Sequence, residues 1–430
     1  MDHTLGMPVI LNDKIRGNTI FFEKIRISVL KITSLRPRQA SKMNVDNLHY
    51  LRKIHFDGLV YPHWISTQLP LLNNLTSLII SIPTLRAIDL LQFEHTVPIF
   101  LLPVLQEFTI EAEKMRLVNL PRMIEDAISC GKNLSYLLDA LHCPKLKTFK
   151  CFYKPPAFSP NFNYMKDPLK NFVQRHGNIL ETLSLAGFIA DFPAEQNQVY
   201  PKTLQNLSIR LSVVRDGNWE SARRTTKPSF WQDFLCSQND LKKLEFSVCH
   251  YTWRWEIITQ MITNNTTTLT TIRLFTDWIN DDIIDFSIFS QCVNAKHFTF
   301  TVHVGSLNRF RSRRHPRTIN ADRLPQNLET IMFSDPYILT EELFAFPQRY
   351  KKLKTLLLRR VGTTNAFGVT EAALWNLIAH TRTLEDLNIV DFNGFFHCDY
   401  LPQTKFCHSW YGALLYLEIG AELNLFHCQS

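Results

Sequence analysis

Glycine is scarce here, at 13 of 430 residues, and this excludes glycine-rich linkers and low-complexity sequence. No apolar run approaches the roughly 18 residues of a membrane-crossing helix, so no membrane partner is expected. The opening residues, MDHTLGMPVILNDKIRGN, lack a compact apolar stretch followed by a small-residue cleavage site, so no secretory signal is expected either. The signatures of common chemistries are missing: no G-x-S-x-G, no H-E-x-x-H, no phosphate-cradling G-x-x-x-x-G-K-[ST] and no G-x-G-x-x-G. No catalytic residue and no cofactor is therefore expected. The cysteines number nine, an odd and scattered set, which fits free thiols in a reducing compartment, cytoplasmic or nuclear, better than a disulfide framework. His397, Cys398, Cys407 and His408, with His427 and Cys428 downstream, invite zinc, but the spacing does not match C-x₂₋₄-C, and no metal site is expected.

What is there is a repeat. The spacing L-x-x-L-x-L, with any large apolar residue allowed, recurs along the chain. It starts at Leu51-Ile54-Phe56, Leu75-Leu78-Ile80, Leu105-Phe108-Ile110 and Leu146-Phe149-Cys151. It continues at Leu180-Leu183-Leu185, Leu204-Leu207-Ile209, Leu241-Leu244-Phe246, Leu269-Ile272-Leu274 and Ala295-Phe298-Phe300. It ends at Leu328-Ile331-Phe333, Leu353-Leu356-Leu358, Leu384-Leu387-Ile389 and Leu414-Leu417-Ile419, with a weaker triplet at Phe22-Ile25-Ile27 before the series. The mean step is about 30 residues, a period that belongs to repeat architectures.

The last two members of each triplet alternate, as a short strand with one buried face requires. Helical stretches are expected between strands. WEIITQMITNN carries Ile258, Met261 and Ile262 on one helical face, and TEAALWNLIAHTRT (370–383) carries Leu374, Leu377 and Ile378 behind Thr370 as N-cap. Prolines announce several strands, as in CPKLKTF and LPQNLETI. The expectation is an α/β solenoid, a horseshoe with parallel strands on its concave face and helices on its convex face. Residues 1–45 would form an N-terminal cap with one degenerate repeat, and 46–425 a solenoid of about 13 irregular repeats.

The chain resembles the leucine-rich repeat superfamily, in its long-repeat intracellular form. Residues 369–391 (VTEAALWNLIAHTRTLEDLNIVD) resemble the repeats of F-box/leucine-rich-repeat proteins, and 339–358 (LTEELFAFPQRYKKLKTLLL) repeat that arrangement. The asparagine that extracellular relatives place three residues after the triplet is replaced by Leu59, Pro83, Phe188, Ser212, Asp277, Pro336, Val361 and Phe392. No clear F-box is present; residues 7–20 echo only its start, so adaptor docking is carried over to no residue. The resemblance implies capture of a protein client for an SCF-type ubiquitin ligase, with a Skp-family adaptor and a cullin as further partners. A repeat-only scaffold or inhibitor, and a nucleic-acid binder, are the alternatives.

The residues between the leucines of each strand would line the concave face. They include Lys53, His55, Glu107, Lys150, Asn206, Glu245, Thr299, Met332, Leu357 and Asn388. The partner-binding candidates among them are Arg210, Lys243, Arg273, Phe275, His297 and Arg359, because Arg and aromatics are the usual anchors of interfaces. Two insertions concentrate the basic charge. Segment 215–228 carries Arg223 and Arg224 at net +2, and segment 305–323 carries Arg311, Arg313 and Arg314 at net +5, of a formal total of +8. Both follow a strand, which would place them on one basic rim suited to an acidic segment, or to nucleic acid under the alternative reading.

Overall fold

The computed structural model describes residues 9–11, 28–35, 48–60, 65, 67–81, 100–111, 132–152, 166–186, 200, 203–210, 230–248, 255–276, 286–302, 323–334, 349–359, 380, 383–390, 415–419 and 422–425. The chain forms two compact units, Met1–Ser237 and Gln238–Ser430.

Among the described residues unit one carries ten strands: β1 (Val9–Leu11), β2 (Val29–Leu35), β3 (Lys53–Val60), β4 (Ser77–Ser81), β5 (Phe100–Leu101), β6 (Glu107–Glu111), β7 (Leu141–His142), β8 (Thr148–Phe152), β9 (Thr182–Ala186) and β10 (Asn206–Arg210). Eight of them pair in the order β1-β2-β3-β4-β6-β8-β9-β10, and β5 and β7 form a separate pair. Unit two carries β11 (Lys243–Val248), β12 (Thr271–Thr276), β13 (His297–Val302), β14 (Thr330–Ser334), β15 (Thr355–Arg359), β16 (Asp386–Val390), β17 (Leu415–Ile419) and β18 (Glu422–Leu425). These stack in chain order, parallel except that β18 returns antiparallel on β17. Each unit has the architecture of an α/β leucine-rich repeat solenoid.

Each triplet does two jobs. Its second and third members sit on the strand and bury inward: Leu78 and Ile80, Phe108 and Ile110, Ile272 and Leu274, and Phe298 and Phe300 are all fully enclosed. The parallel register puts them side by side, as Leu78 opposite Phe108 and Ile272 opposite Phe298. Aromatic members touch across repeats: Phe108 and Phe149 lie 5.6 Å apart and Phe298 and Phe333 6.2 Å apart, between centroids. The leading member is buried beneath the turn that enters the strand. The first tooth is shifted from its expected place. Leu30 and Ile32, rather than Ile25 and Ile27, stand opposite Ile54 and Phe56.

The residue after the leading leucine holds neighbouring repeats together. Its carbonyl accepts two consecutive N–H groups from the next repeat. Arg52 O accepts from Thr76 and Ser77 at 2.7 and 3.0 Å, and Thr76 O from Gln106 and Glu107 at 2.9 and 3.0 Å. In unit two Lys242 O accepts from Thr270 and Thr271, Thr270 O from Lys296 and His297, and Lys296 O from Glu329 and Thr330. Two residues earlier in sequence, side chains staple the same joint. Asn74, Asn294 and Asn327 donate to the carbonyls of His49, Thr267 and Val293 at 2.7, 2.6 and 2.9 Å. Thr203, Thr268 and Thr383 donate to the carbonyls of Leu180, Leu241 and Leu353 at 2.8, 2.9 and 2.7 Å.

The layer behind the strands is mixed. It contains α1 (Lys166–His176), α2 (Phe230–Cys236), α3 (Trp255–Asn264), a helical stretch at 132–140, and two 3₁₀ turns at Leu69–Leu71 and Phe286–Gln291. Ile258, Met261 and Ile262 of α3 are fully buried, as their spacing requires. The helix expected at 370–383 lies almost wholly outside the described residues. Two buried polar residues end helices four positions before a leading leucine. Asn265 accepts from Leu241 N–H at 2.8 Å and donates to the carbonyls of Gln238 and Met261 at 2.8 and 2.7 Å. His176 accepts the Cys143 N–H on Nε2 at 3.3 Å, so its protonated Nδ1 donates to Phe172 O at 2.9 Å. Burial pushes the His176 pKa down to about 4 from 6.5, the Phe172 bond opposing it.

Asn265→Leu keeps the branched heavy-atom outline and strands three buried backbone groups, so it should cost about 2–4 kcal/mol in urea unfolding. Asn294→Ala, at an exposed staple, should cost under about 1 kcal/mol. The His176 shift predicts a pH effect of definite sign. The unfolded chain takes up a proton near pH 6.5 while the folded chain refuses it until about 4. Stability should therefore fall as pH drops through that window and level off below it. In His176→Gln this component of the decline should disappear from the urea midpoint.

Candidate functional site

Alternate strand residues point away from the core and form an open face on each unit. In unit one its middle row reads Lys31, His55, Ile79, Thr109, Lys150 and Ser184, in register across β2, β3, β4, β6, β8 and β9. Several charges on this face are paired. Lys31 Nζ lies 2.6 Å from Asp57 Oδ2. Glu107 accepts from Ser77 Oγ and from Lys150 Nζ, both at 3.1 Å. Burial works to raise the Glu107 pKa, but the Lys150 hydrogen bond and charge, together with Ser77, hold it below the usual carboxylate range. His55 Nε2 stands 3.3 Å from Glu111 and 3.9 Å from Asp57, close enough for charge attraction but not aligned as a hydrogen bond. Its burial outweighs both carboxylates, and its pKa is lowered. Neutral imidazole is therefore the resting form at neutral pH.

In unit two the middle row reads Glu245, Arg273, Thr299, Met332, Leu357 and Asn388. Glu245 is nearly enclosed, with its side chain 5% exposed, and Arg273, 45% exposed, caps it at 3.7 Å. Thr299, Thr301 and Ser334 are buried; Phe275, Met332 and Leu357 are half-buried.

The six expected anchors divide between the units. Arg210 ends β10 in unit one and is exposed. Lys243, Arg273, Phe275 and His297 share three neighbouring strands of unit two, with Lys243 half-buried and His297 exposed. Arg359 ends β15 opposite Ser334, and its side chain lies outside the described set. The basic-rim residues Arg223, Arg224, Arg311, Arg313 and Arg314 lie outside the described residues, as do His397, Cys398, Cys407, His408, His427 and Cys428. Sequence reasoning missed Lys31, whose place became readable only once the first tooth moved to Leu30 and Ile32. It also missed how many open-face positions are buried hydroxyls, Ser77, Thr109, Ser184 and Thr301 among them. The alternation that names the leucines names these positions too.

The described thiols are unsuited to nucleophilic work. Cys143 and Cys292 are buried, and burial pushes both up to about 12. Among the described residues no cluster of three or more His, Cys, Asp or Glu could hold a metal ion. No described helix is long and apolar enough to cross a membrane.

No family model and no curated protein matches the chain. Among solved structures it is similar to the leucine-rich repeat-containing protein LegL7 from Legionella pneumophila, at 9% identity and a TM-score of 0.32, over 87% of this chain and 97% of that one. At that distance the fold assignment rests on the chain's own strands and register.

Lys150→Met should return the Glu107 pKa upward toward its ordinary value, read by NMR pH titration of the side-chain carboxyl. An unchanged value would show that Lys150 does not hold that carboxyl.

Proposed function

We propose that this chain is a non-enzymatic protein-binding scaffold that holds a partner against its open strand faces. The observation that carries this reading is Arg273, a half-exposed cation held over the enclosed Glu245, with the half-buried Phe275 beside it on the same strand face. A cation held in place beside partly desolvated apolar surface matches the anatomy of interface anchors. Arg210, Lys243, Phe275, His297 and Arg359 complete the candidate set.

The resemblance of 339–358 and 369–391 to F-box/leucine-rich-repeat proteins supports a finer reading. On it, the scaffold presents a client to an SCF-type ubiquitin ligase, with a Skp-family adaptor and a cullin as co-partners. Without them it acts as a repeat-only scaffold or inhibitor.

Affinity purification of the tagged chain from its own cells, read by mass spectrometry, separates the two. An adaptor and a cullin among the enriched proteins support the ligase reading; another enriched partner without them supports the repeat-only scaffold. Two folded variants then locate the binding face: Lys53→Glu with Arg210→Glu in unit one, and Arg273→Glu with Arg359→Glu in unit two. Loss of the partner in either is expected. Full retention in both, with melting temperatures unchanged, rules the strand faces out.

A further inference from the structure

We propose that the open face of unit two takes an extended peptide segment of the form acidic-x-aliphatic-x-aliphatic, its acid on Arg273 and its last aliphatic side chain on Leu357. This rests on the scaffold reading above and narrows it to one unit and one ligand chemistry.

Charge complementarity selects the acidic residue. No open-face position of β12, β13, β14 or β15 carries an acidic residue; these positions hold Arg273, His297 and Arg359 among hydroxyl and apolar residues. The only carboxylate beside Arg273 on β11 is Glu245, which is enclosed. Their 3.7 Å contact is an ion pair longer than a hydrogen bond, so the guanidinium fork keeps donors for a second carboxylate. Met332 and Leu357 stand in register on adjacent strands and are half-buried, an apolar seat.

Two polar atoms on the same face lack hydrogen-bond partners. Thr301 Oγ1 belongs to a residue more than nine-tenths buried, and Asn388 Oδ1 follows Leu357 in the middle row. An enclosed acceptor without a donor is costly to leave so. Neither atom reaches the solvent-facing surface, so the peptide's contacts fall on Arg273 and on the apolar seat.

Spacing sets the pattern. Adjacent strands are about 4.8 Å apart, so Arg273 to Leu357, three strands on, spans about 14 Å. An extended peptide rises about 3.3 Å per residue and turns every second side chain to the same face. Residues i and i+4 are then about 13 Å apart, with i+2 lying over Thr299 and Met332.

The test uses the full chain and fluorescein-labelled peptides centred on Asp-Ser-Leu-Ser-Leu, read by fluorescence anisotropy. Saturable binding is expected. It should weaken about tenfold or more when the peptide Asp becomes Lys, and similarly in Arg273→Gln and in Leu357→Ser. Lys147→Met, at an exposed ion pair with Glu181 in the other unit, should leave it unchanged. Equal binding of the Asp and Lys peptides, no binding of either, or unaltered affinity in both unit-two variants overturns the inference. Partner capture lost only through the unit-one substitutions also overturns it while leaving the scaffold reading intact.

Discussion

A single carbonyl per repeat governs the stacking of this protein. The residue after each leading leucine accepts two N–H groups from the repeat that follows, as Thr76 does for Gln106 and Glu107 and Lys296 for Glu329 and Thr330. A buried or half-buried backbone group without such a partner is costly, so each repeat is satisfied only by its successor. The strand register is a consequence. Once the entry turn is clamped, Ile54 must face Leu78 and Ile272 must face Phe298. The open face follows in turn, because a fixed register lines up every second residue into rows.

The two faces of the strands obey different chemistry. Inward positions demand volume, and Phe108, Phe149 and Phe172 meet with centroids 4.7 to 6.2 Å apart. Outward positions are freed from packing and carry the charges. Unit one pairs several of its own, Lys31 with Asp57 and Lys150 with Glu107. Unit two leaves Arg273 half exposed above one enclosed carboxylate. Reactivity is suppressed in the described core, where burial keeps Cys143 and Cys292 protonated.

The fold was readable because its signal is repeated. Inward leucines recur at one spacing, and every described strand from β3 to β17 in the main stacks falls on an expected triplet. The first tooth was misplaced because Phe22, Ile25 and Ile27 share the spacing, whereas the strand opposite Ile54 and Phe56 runs through Leu30 and Ile32. β18 was missed because it carries no triplet; its four residues, ELNL, pair antiparallel with β17. The inter-repeat staples were also missed. Their asparagines and threonines stand before the leading leucine, not after the triplet where extracellular relatives carry theirs. For the candidate site, alternation named the outward residues but not their partners. The capping of Glu245 by Arg273 and the orphaned Asn388 oxygen depend on side-chain placement, which periodicity does not encode.

The antiparallel turn-back of β18 bears on self-association. A stack of identical parallel edges is a template on which another copy of the chain could add strand by strand, as filaments do. Every strand from β11 to β17 presents such an edge to its neighbour. β18 reverses the hydrogen-bonding pattern over only four residues and begins with Glu422. Among the described strands, the parallel template of unit two therefore gives way to a short antiparallel edge.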